Sequence, residues 1–432
     1  MLRRISRCRI CGNERLSAVL DLGEQVLTGR FPRPDEPDPT RGPLELVRCD
    51  GADPARHCGL LQLSCTYDLG EMYGPTYGYR SALSQTMVRH LSDVTEEALG
   101  LAQPTVDDAV LDIGCNDGTL LKFYEGLGLN RVGIDPSSAR FASAFPADCQ
   151  LIVDFFSADK VRAVVGETKF KIITSIAMFY DIDDPTAFMG EVRSLLARDG
   201  IWVFEQAYAR RMIENVAYDS VCHEHLNYYN LRQIQWMAEK AGLQLLDVSV
   251  NDINGTSFRV IAARDDAALP SRAGRLQSLR ADEARYEAEQ PYQAFGANVV
   301  SRRDELRRFF DRVRRQKQSA LGYGASTKGN VVIQYCGLNA DDLPAIAEKH
   351  PGKYGHVTPA SRIPIISEAD ARARKPDFFV VFPWHYRAEI VRREARYMDE
   401  GGALVFPLPS FEIEGGRAGD RHHQAEPMRR TA

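Results

Sequence analysis

The pattern of apolar and polar positions changes texture three times along the chain. Residues 1 to about 75 are turn-rich, and FPRPDEPDPTRGP from Phe31 to Pro43 carries five prolines with no helical period. Residues 77–102 then place apolar side chains at helical spacing and predict one or two helices. From Ala109 short apolar runs alternate with amphipathic stretches. AVLDIG, RVGIDP, KIITSIAMF and IWVFEQ predict buried strands; TLLKFYEGL, SSARFASAF and PTAFMGEVRSLLARDG predict the helices between them, the last ending at Gly200. Successive βαβ units of this kind imply a mostly parallel, doubly wound sheet, which LQLLDVSVN and TSFRVIAAR would complete as an edge hairpin. Residues 265–317 read as a solvated helix pair, after which SALGYGAS, a helix from Thr327, RIPIIS, DFFVVFPWHY and ALVFPLPS predict a second β/α set. The tail from Gly415 lacks an apolar face and is expected to be disordered.

At 432 residues, two or three domains are expected. Lys and Arg total 54 against 59 Asp and Glu, a net charge of -5, so no global positive field favours nucleic acid or an anionic membrane. No window approaches 18 consecutive apolar residues, and the basic start MLRRISRCRICG has no apolar run behind it. These features point to a soluble, cytoplasmic protein.

Cysteine is concentrated at the start: Cys8, Cys11, Cys49, Cys58 and Cys65 account for five of nine. The two-residue spacer of Cys8 and Cys11 lets both sulfurs approach one ion, and Cys49 with Cys58 supplies a second pair, His57 or Cys65 being able to substitute. Four thiolates leave no open position for water, so such a zinc site is structural.

VLDIGCNDGTLL places Asp112, Gly114, Asn116 and Gly118 between a predicted strand and helix. A carboxylate in this turn repels phosphate and suits the amino-acid end of S-adenosylmethionine, which argues against a dinucleotide site. Asp135, 21 residues beyond Gly114, is placed to accept from ribose hydroxyls; Asp154 is placed to meet the adenine amine, with Phe155 flanking the ring. Together these residues resemble the class I S-adenosylmethionine-dependent methyltransferases, with Asn116 at the usual middle glycine.

His223-Glu224-His225 does not have the His-Glu-x-x-His spacing of zinc proteases. A carboxylate beside an imidazole suits the removal of a carbon-bound proton. The order Cys-x-x-Cys, CGLLQL, YGYRS, Asp-x-Gly-x-Asn-x-Gly, HEHL, NDINGTSFRV, GYGASTKGN, IPIISE, PWHY and PLPS resembles the sugar C-methyltransferases that act on nucleotide-linked 4-keto-6-deoxyhexoses. The resemblance runs from about residue 5 to 411. It departs at Gly255-Thr256-Ser257, where the family usually has Gly-Gly-Ser, and the base segment follows Cys222.

The resemblance implies an α/β protein: a zinc-binding domain (1–75), a class I methyltransferase Rossmann-like core (76–265), a helical connector (266–318), a Rossmann-like nucleotide-sugar domain (319–414) and the tail (415–432). It implies S-adenosylmethionine and structural Zn2+ as cofactors and C3 methylation of a dTDP- or GDP-linked sugar through an enolate; a monomer or weak homodimer is expected, and the charge balance predicts no nucleic-acid or membrane partner. His225 is the expected base, Glu224 orients it or touches sugar, and His223 competes for the role. Tyr77, Tyr79, Arg80 and Ser81 would line the cavity, with Tyr79 stabilising enolate charge. Gly322, Gly324 and Lys328 would meet the diphosphate, although GYGASTKG lacks the third glycine of a dinucleotide fingerprint. An O- or N-methyltransferase, a nicotinamide oxidoreductase and a non-enzymatic zinc scaffold are the competing readings.

Overall fold

The computed structural model describes residues 2–51, 53, 56–73 and 79–416. Tyr77 and the tail from residue 417 lie outside the described residues. Two compact units are formed: Met1–Ala18, Val47–Arg210 and Glu224–Ala288 make the first, and Val19–Leu46, Arg211–His223 and Glu289–Ala432 the second. The boundaries therefore differ from a linear series of domains. The reason is that strands Leu16–Val26 and Arg41–Cys49 each begin in one unit and end in the other.

The first unit holds a seven-stranded sheet of β1 (Ala109–Ile113), β2 (Asn130–Ile134), β3 (Cys149–Ile152), β4 (Phe170–Ile176), β5 (Leu196–Ala207), β6 (Leu243–Asn251) and β7 (Ser257–Arg264), in the order β6-β7-β5-β4-β1-β2-β3. β7 is antiparallel to both neighbours and the other pairs are parallel. Both faces are covered, as a parallel sheet requires. Leu111, Ile113, Ile173 and Trp202 enter one core together with Cys8, Ile10, Cys49, Cys58 and Leu60 from the amino-terminal segment. Val110, Ile172 and Val203 enter the other, against Met87, Leu91, Val94 and Ala98 of helix α1 (Gln85–Ala102). Ser84 starts that helix by accepting from the Met87 amide.

Three predicted helices are shorter or tighter than the pattern suggests. TLLKFYEGL is helical only over Thr119–Lys122, and SSARFASAF is a 3-10 helix over Ser138–Ala144. The helix expected to end at Gly200 ends at Leu195, because Leu196, 1% exposed, already pairs with Phe170 in the sheet. Burial in the sheet overrides the helical spacing of LLARDG.

The second unit has a six-stranded sheet of β8 (Ala320–Tyr323), β9 (Ile346–Glu348), β10 (Ile365–Ser367), β11 (Phe378–Val381), β12 (Ala403–Phe406) and β13 (Glu412–Gly415), ordered β10-β9-β8-β11-β12-β13. Only β13 is antiparallel. Helix α2 (Gln290–Arg315) is less solvated than its arginines suggest: Tyr292, Phe295, Val299, Leu306, Phe309, Phe310 and Val313 form a buried stripe.

Candidate active site and metal centre

Cys8, Cys11, Cys49 and Cys58 converge, their sulfurs all within 4.8 Å of one another. Cys8 and Cys58 sulfurs lie 3.4 Å apart, as do those of Cys11 and Cys49. Tetrahedral zinc with ~2.3 Å bonds places its sulfurs about 3.8 Å apart, so this donor set fits the ion with small adjustments. The crowding also splits the thiols. Hydrogen bonding from Cys49 drives the Cys11 pKa down, whereas that from Cys11 drives Cys58 up. Asn13 donates to the Cys49 sulfur at 3.4 Å, a contact suited to a thiolate ligand. Cys65 sits instead in a short strand paired with Arg4.

At the carboxyl ends of β1 and β2, Gly114 and Gly118 adopt φ values of +77° and +73°. A side chain at Gly118 would also meet the Phe145 ring at 2.8 Å. Asp112 is buried in β1 and accepts from Thr174 Oγ1 at 2.6 Å; burial pushes its pKa up to about 7. The Asn116 amide donates to Asp135 Oδ2 at 3.0 Å, and the Ser137 amide and hydroxyl donate to Oδ1. A carboxylate has about four acceptor sites, so these bonds leave Asp135 capacity for further donors. Asp154 is half-buried, held below the usual carboxylate range by the Lys160 ammonium at 2.7 Å, and Phe155 beside it is 37% exposed.

Arg80 and Ser81 fasten onto this turn. Arg80 Nε donates to Asp117 Oδ2 at 3.2 Å, the Ser81 amide donates to Asn116 Oδ1 at 3.0 Å, and Asn116 Nδ2 donates to the Tyr79 carbonyl. The Tyr79 side chain is 44% exposed. Asp117 was not singled out from sequence, yet it is 1% exposed and also takes the Thr119 hydroxyl at 2.6 Å.

The His-Glu-His segment separates its members by environment. His223 is fully buried, and burial pushes its pKa down to about 4. His225 is half-buried, with its ring 4.1 Å from that of Tyr180. Asn227 pins the Tyr180 turn by donating to the Ile182 carbonyl at 2.7 Å, and Tyr229 stacks on Phe179 at 5.3 Å. Two carboxyls approach here. Asp181, missed from sequence, accepts from the Tyr73 hydroxyl at 2.6 Å and feels the charge of Glu224. A second missed cluster joins Glu205 to His90 at 2.6 Å and to Arg259 at 3.0 Å. Their signal in the sequence was only charge inside otherwise apolar strand and helix patterns.

In the second unit Lys328 lies in the first turn of helix α3 (Thr327–Tyr335), where Ser326 accepts from the Gly329 amide. Lys328 is within electrostatic reach of Asp219, a buried carboxyl that accepts from Trp384 Nε1 at 2.9 Å. The Ala325 amide donates to Glu348 Oε2 at 2.9 Å. Thr256 in the first unit takes φ of +109°, a value at which glycine is unstrained.

Three family descriptions match successive parts of the chain: "Putative zinc binding domain" over residues 8–73, "Methyltransferase domain" over 84–248 and "C-methyltransferase C-terminal domain" over 252–409. C-methyltransferase NovU of Streptomyces niveus is 28% identical over 423 residues, covering 96% of this chain and 98% of its own. A ubiquinone biosynthesis O-methyltransferase of Rhodopseudomonas palustris (strain BisB5) is 30% identical over 93 residues, 21% of this chain and 37% of the relative. A solved S-adenosylmethionine-dependent methyltransferase from Clostridium acetobutylicum ATCC 824 aligns over 41% of this chain and 92% of its own, at 15% identity and a TM-score of 0.32. With all three descriptions in order along one chain and a relative aligned from end to end, this protein belongs to the zinc-containing, S-adenosylmethionine-dependent C-methyltransferases.

Proposed function

We propose that this enzyme methylates C3 of a dTDP- or GDP-linked 4-keto-6-deoxy sugar through an enolate, building a branched sugar in the cytoplasm as a monomer or weak homodimer. The observation that carries the reading is the contrast between the two histidines. A base must reach a carbon-bound proton and hold it near neutral pH. The half-buried His225 meets the first need, whereas His223 is enclosed and depressed to about 4. The ketone at C4 acidifies the neighbouring carbon, His225 removes its proton, and the electron pair moves to the ketone oxygen. Glu224 orients His225 or holds the sugar, and the Tyr79 hydroxyl is a donor for the developing oxyanion.

S-adenosylmethionine supplies an electrophilic sulfonium methyl when bound. In this reading Asp112 holds its ammonium, Asp135 its ribose and Asp154 with Phe155 its adenine, on the turn of Gly114, Asn116 and Gly118 that Arg80 and Ser81 brace. Lys328 meets the substrate diphosphate. Tyr77 is assigned to the sugar cavity by the resemblance alone.

The test is proton exchange in deuterated water with dTDP-4-keto-6-deoxyglucose and GDP-4-keto-6-deoxymannose. Wild type should exchange the C3 proton and methylate that carbon. His225→Ala should lose exchange by about 10²–10⁴-fold, while His223→Ala retains the C3 regiochemistry. Methylation at C5, which the C4 ketone also acidifies, would overturn the C3 assignment; methylation of oxygen or nitrogen would overturn the carbon-acid chemistry.

A further inference from the structure

Asp181 lies one residue beyond Tyr180, the ring against which His225 packs. Its carboxyl is divided in function: Oδ2 accepts from the Tyr73 hydroxyl at 2.6 Å, while Oδ1 is buried and has no hydrogen-bond partner among the described residues. A buried acceptor left without a partner costs about 1–3 kcal/mol, more if charged. Among the described residues, the titratable groups whose charge or hydrogen bond is coupled to it are Tyr73 of the Leu69–Tyr73 helix, Glu224 beside His225, and Tyr229. None of these is a cation. Burial, reinforced by the Glu224 charge and opposed only by the Tyr73 bond, holds Asp181 well above the usual carboxylate range.

We propose that Asp181 is a second acid of the active site, a neutral carboxylic acid whose Oδ1 donates a hydrogen bond to the sugar ketone oxygen as that oxygen becomes an enolate. The proposal rests on the ketone-sugar reading above and adds a group to it. In the step, His225 takes the proton from carbon, the C–H electron pair becomes the enolate double bond, and the carbonyl pair moves onto oxygen. Asp181 keeps its proton throughout and shares it with that oxygen. Tyr73 fixes which carboxyl oxygen is left to carry the proton. A neutral acid does this where an ionised one would repel the enolate.

Exchange of the substrate carbon proton in deuterated water, without S-adenosylmethionine, isolates this step. With whichever of the two probes wild type exchanges, Asp181→Ala should slow exchange by about 10²–10³-fold at an unchanged dissociation constant for S-adenosylhomocysteine. Asp181→Asn keeps a donor and should stay within about tenfold of wild type. Raising the pH should slow wild-type exchange as Asp181 ionises, and that falling limb should be missing from Asp181→Asn. An Asp181→Ala enzyme within threefold of wild type overturns the proposal while leaving the ketone reading intact, and so does an Asn variant that keeps the falling limb. Should Asp181→Ala fail to bind S-adenosylhomocysteine, the Asn comparison decides alone. Failure of wild type to exchange either probe overturns the ketone reading, and this proposal with it.

Discussion

The two sheets make the same turn and dress it differently, with buried aspartates gathered at the first and lysines joining the acid at the second. In the first unit the Asn116 amide donates to the acid after the second strand, Asp135, at 3.0 Å; in the second the Ala325 amide donates to Glu348 at 2.9 Å. Around the first turn stand Asp112 and Asp117, both buried. Around the other stand Lys328, opening its helix, and Lys353, whose ammonium donates to the Ala325 carbonyl at 2.7 Å. The fold supplies a strand, a turn and a helix start in both cases, and in the proposed reading side-chain charge selects the ligand. An acidic turn suits the cationic end of S-adenosylmethionine; a turn bearing lysines suits a diphosphate.

Removing zinc is the largest perturbation that should fall on one unit. All four thiols belong to the first unit and pack into the core under its sheet. Structural zinc is worth about 10 kcal/mol or more, so a strong chelator should lower the melting temperature by roughly 10 °C or more and weaken S-adenosylhomocysteine binding. An unchanged melting curve would detach the metal from the first unit's stability. A reciprocal pair of variants tests the charge assignment next. Asp135→Ala should weaken S-adenosylhomocysteine by about 10–100-fold and spare dTDP, as read by calorimetry. Lys328→Ala should weaken dTDP by about tenfold, less so at high salt, and spare S-adenosylhomocysteine. Effects that cross between the two ligands would break the comparison.

The smallest effect is a pH dependence. In the proposed reading Asp112 holds an ammonium, and with its pKa raised to about 7 by burial it has to ionise to do so. S-adenosylmethionine should therefore bind a few-fold more tightly at pH 8 than at pH 6.5, and Asp112→Asn should flatten the curve. The unliganded protein carries the opposite linkage: the folded state holds this proton better than the unfolded chain, so the Asp112 contribution to stability declines from about pH 4 to about pH 7.

What could be read from the residues alone follows from how local each constraint is. The Cys8-x-x-Cys11 pair, the glycines of the first turn and the alternation of strand and helix are local, and each has its physical counterpart in the structure. Cys58, the expected fourth ligand, does join the other three sulfurs, but the residues alone leave His57 or Cys65 able to substitute, because eight intervening residues allow several loop paths. Asp181 and Tyr73 are 108 positions apart, and His90 and Glu205 are 115 apart, so no spacing rule joins them. The helix that stops at Leu195 shows the limit from another side, since a strand partner at Phe170 decided the conformation of a segment with helical periodicity.

The position of the cysteines also sets a timetable for synthesis. Cys58 completes the metal set, yet the first unit is not whole until Ala288 has been made, some 230 residues later. At about 5–20 residues per second, that leaves roughly 10–50 s in which the nascent chain offers four thiols without the sheet they pack against. Ion capture in that interval would tie Cys8, Cys11, Cys49 and Cys58 together before the sheet they pack against exists, so the metal would order the amino-terminal segment ahead of the core it joins.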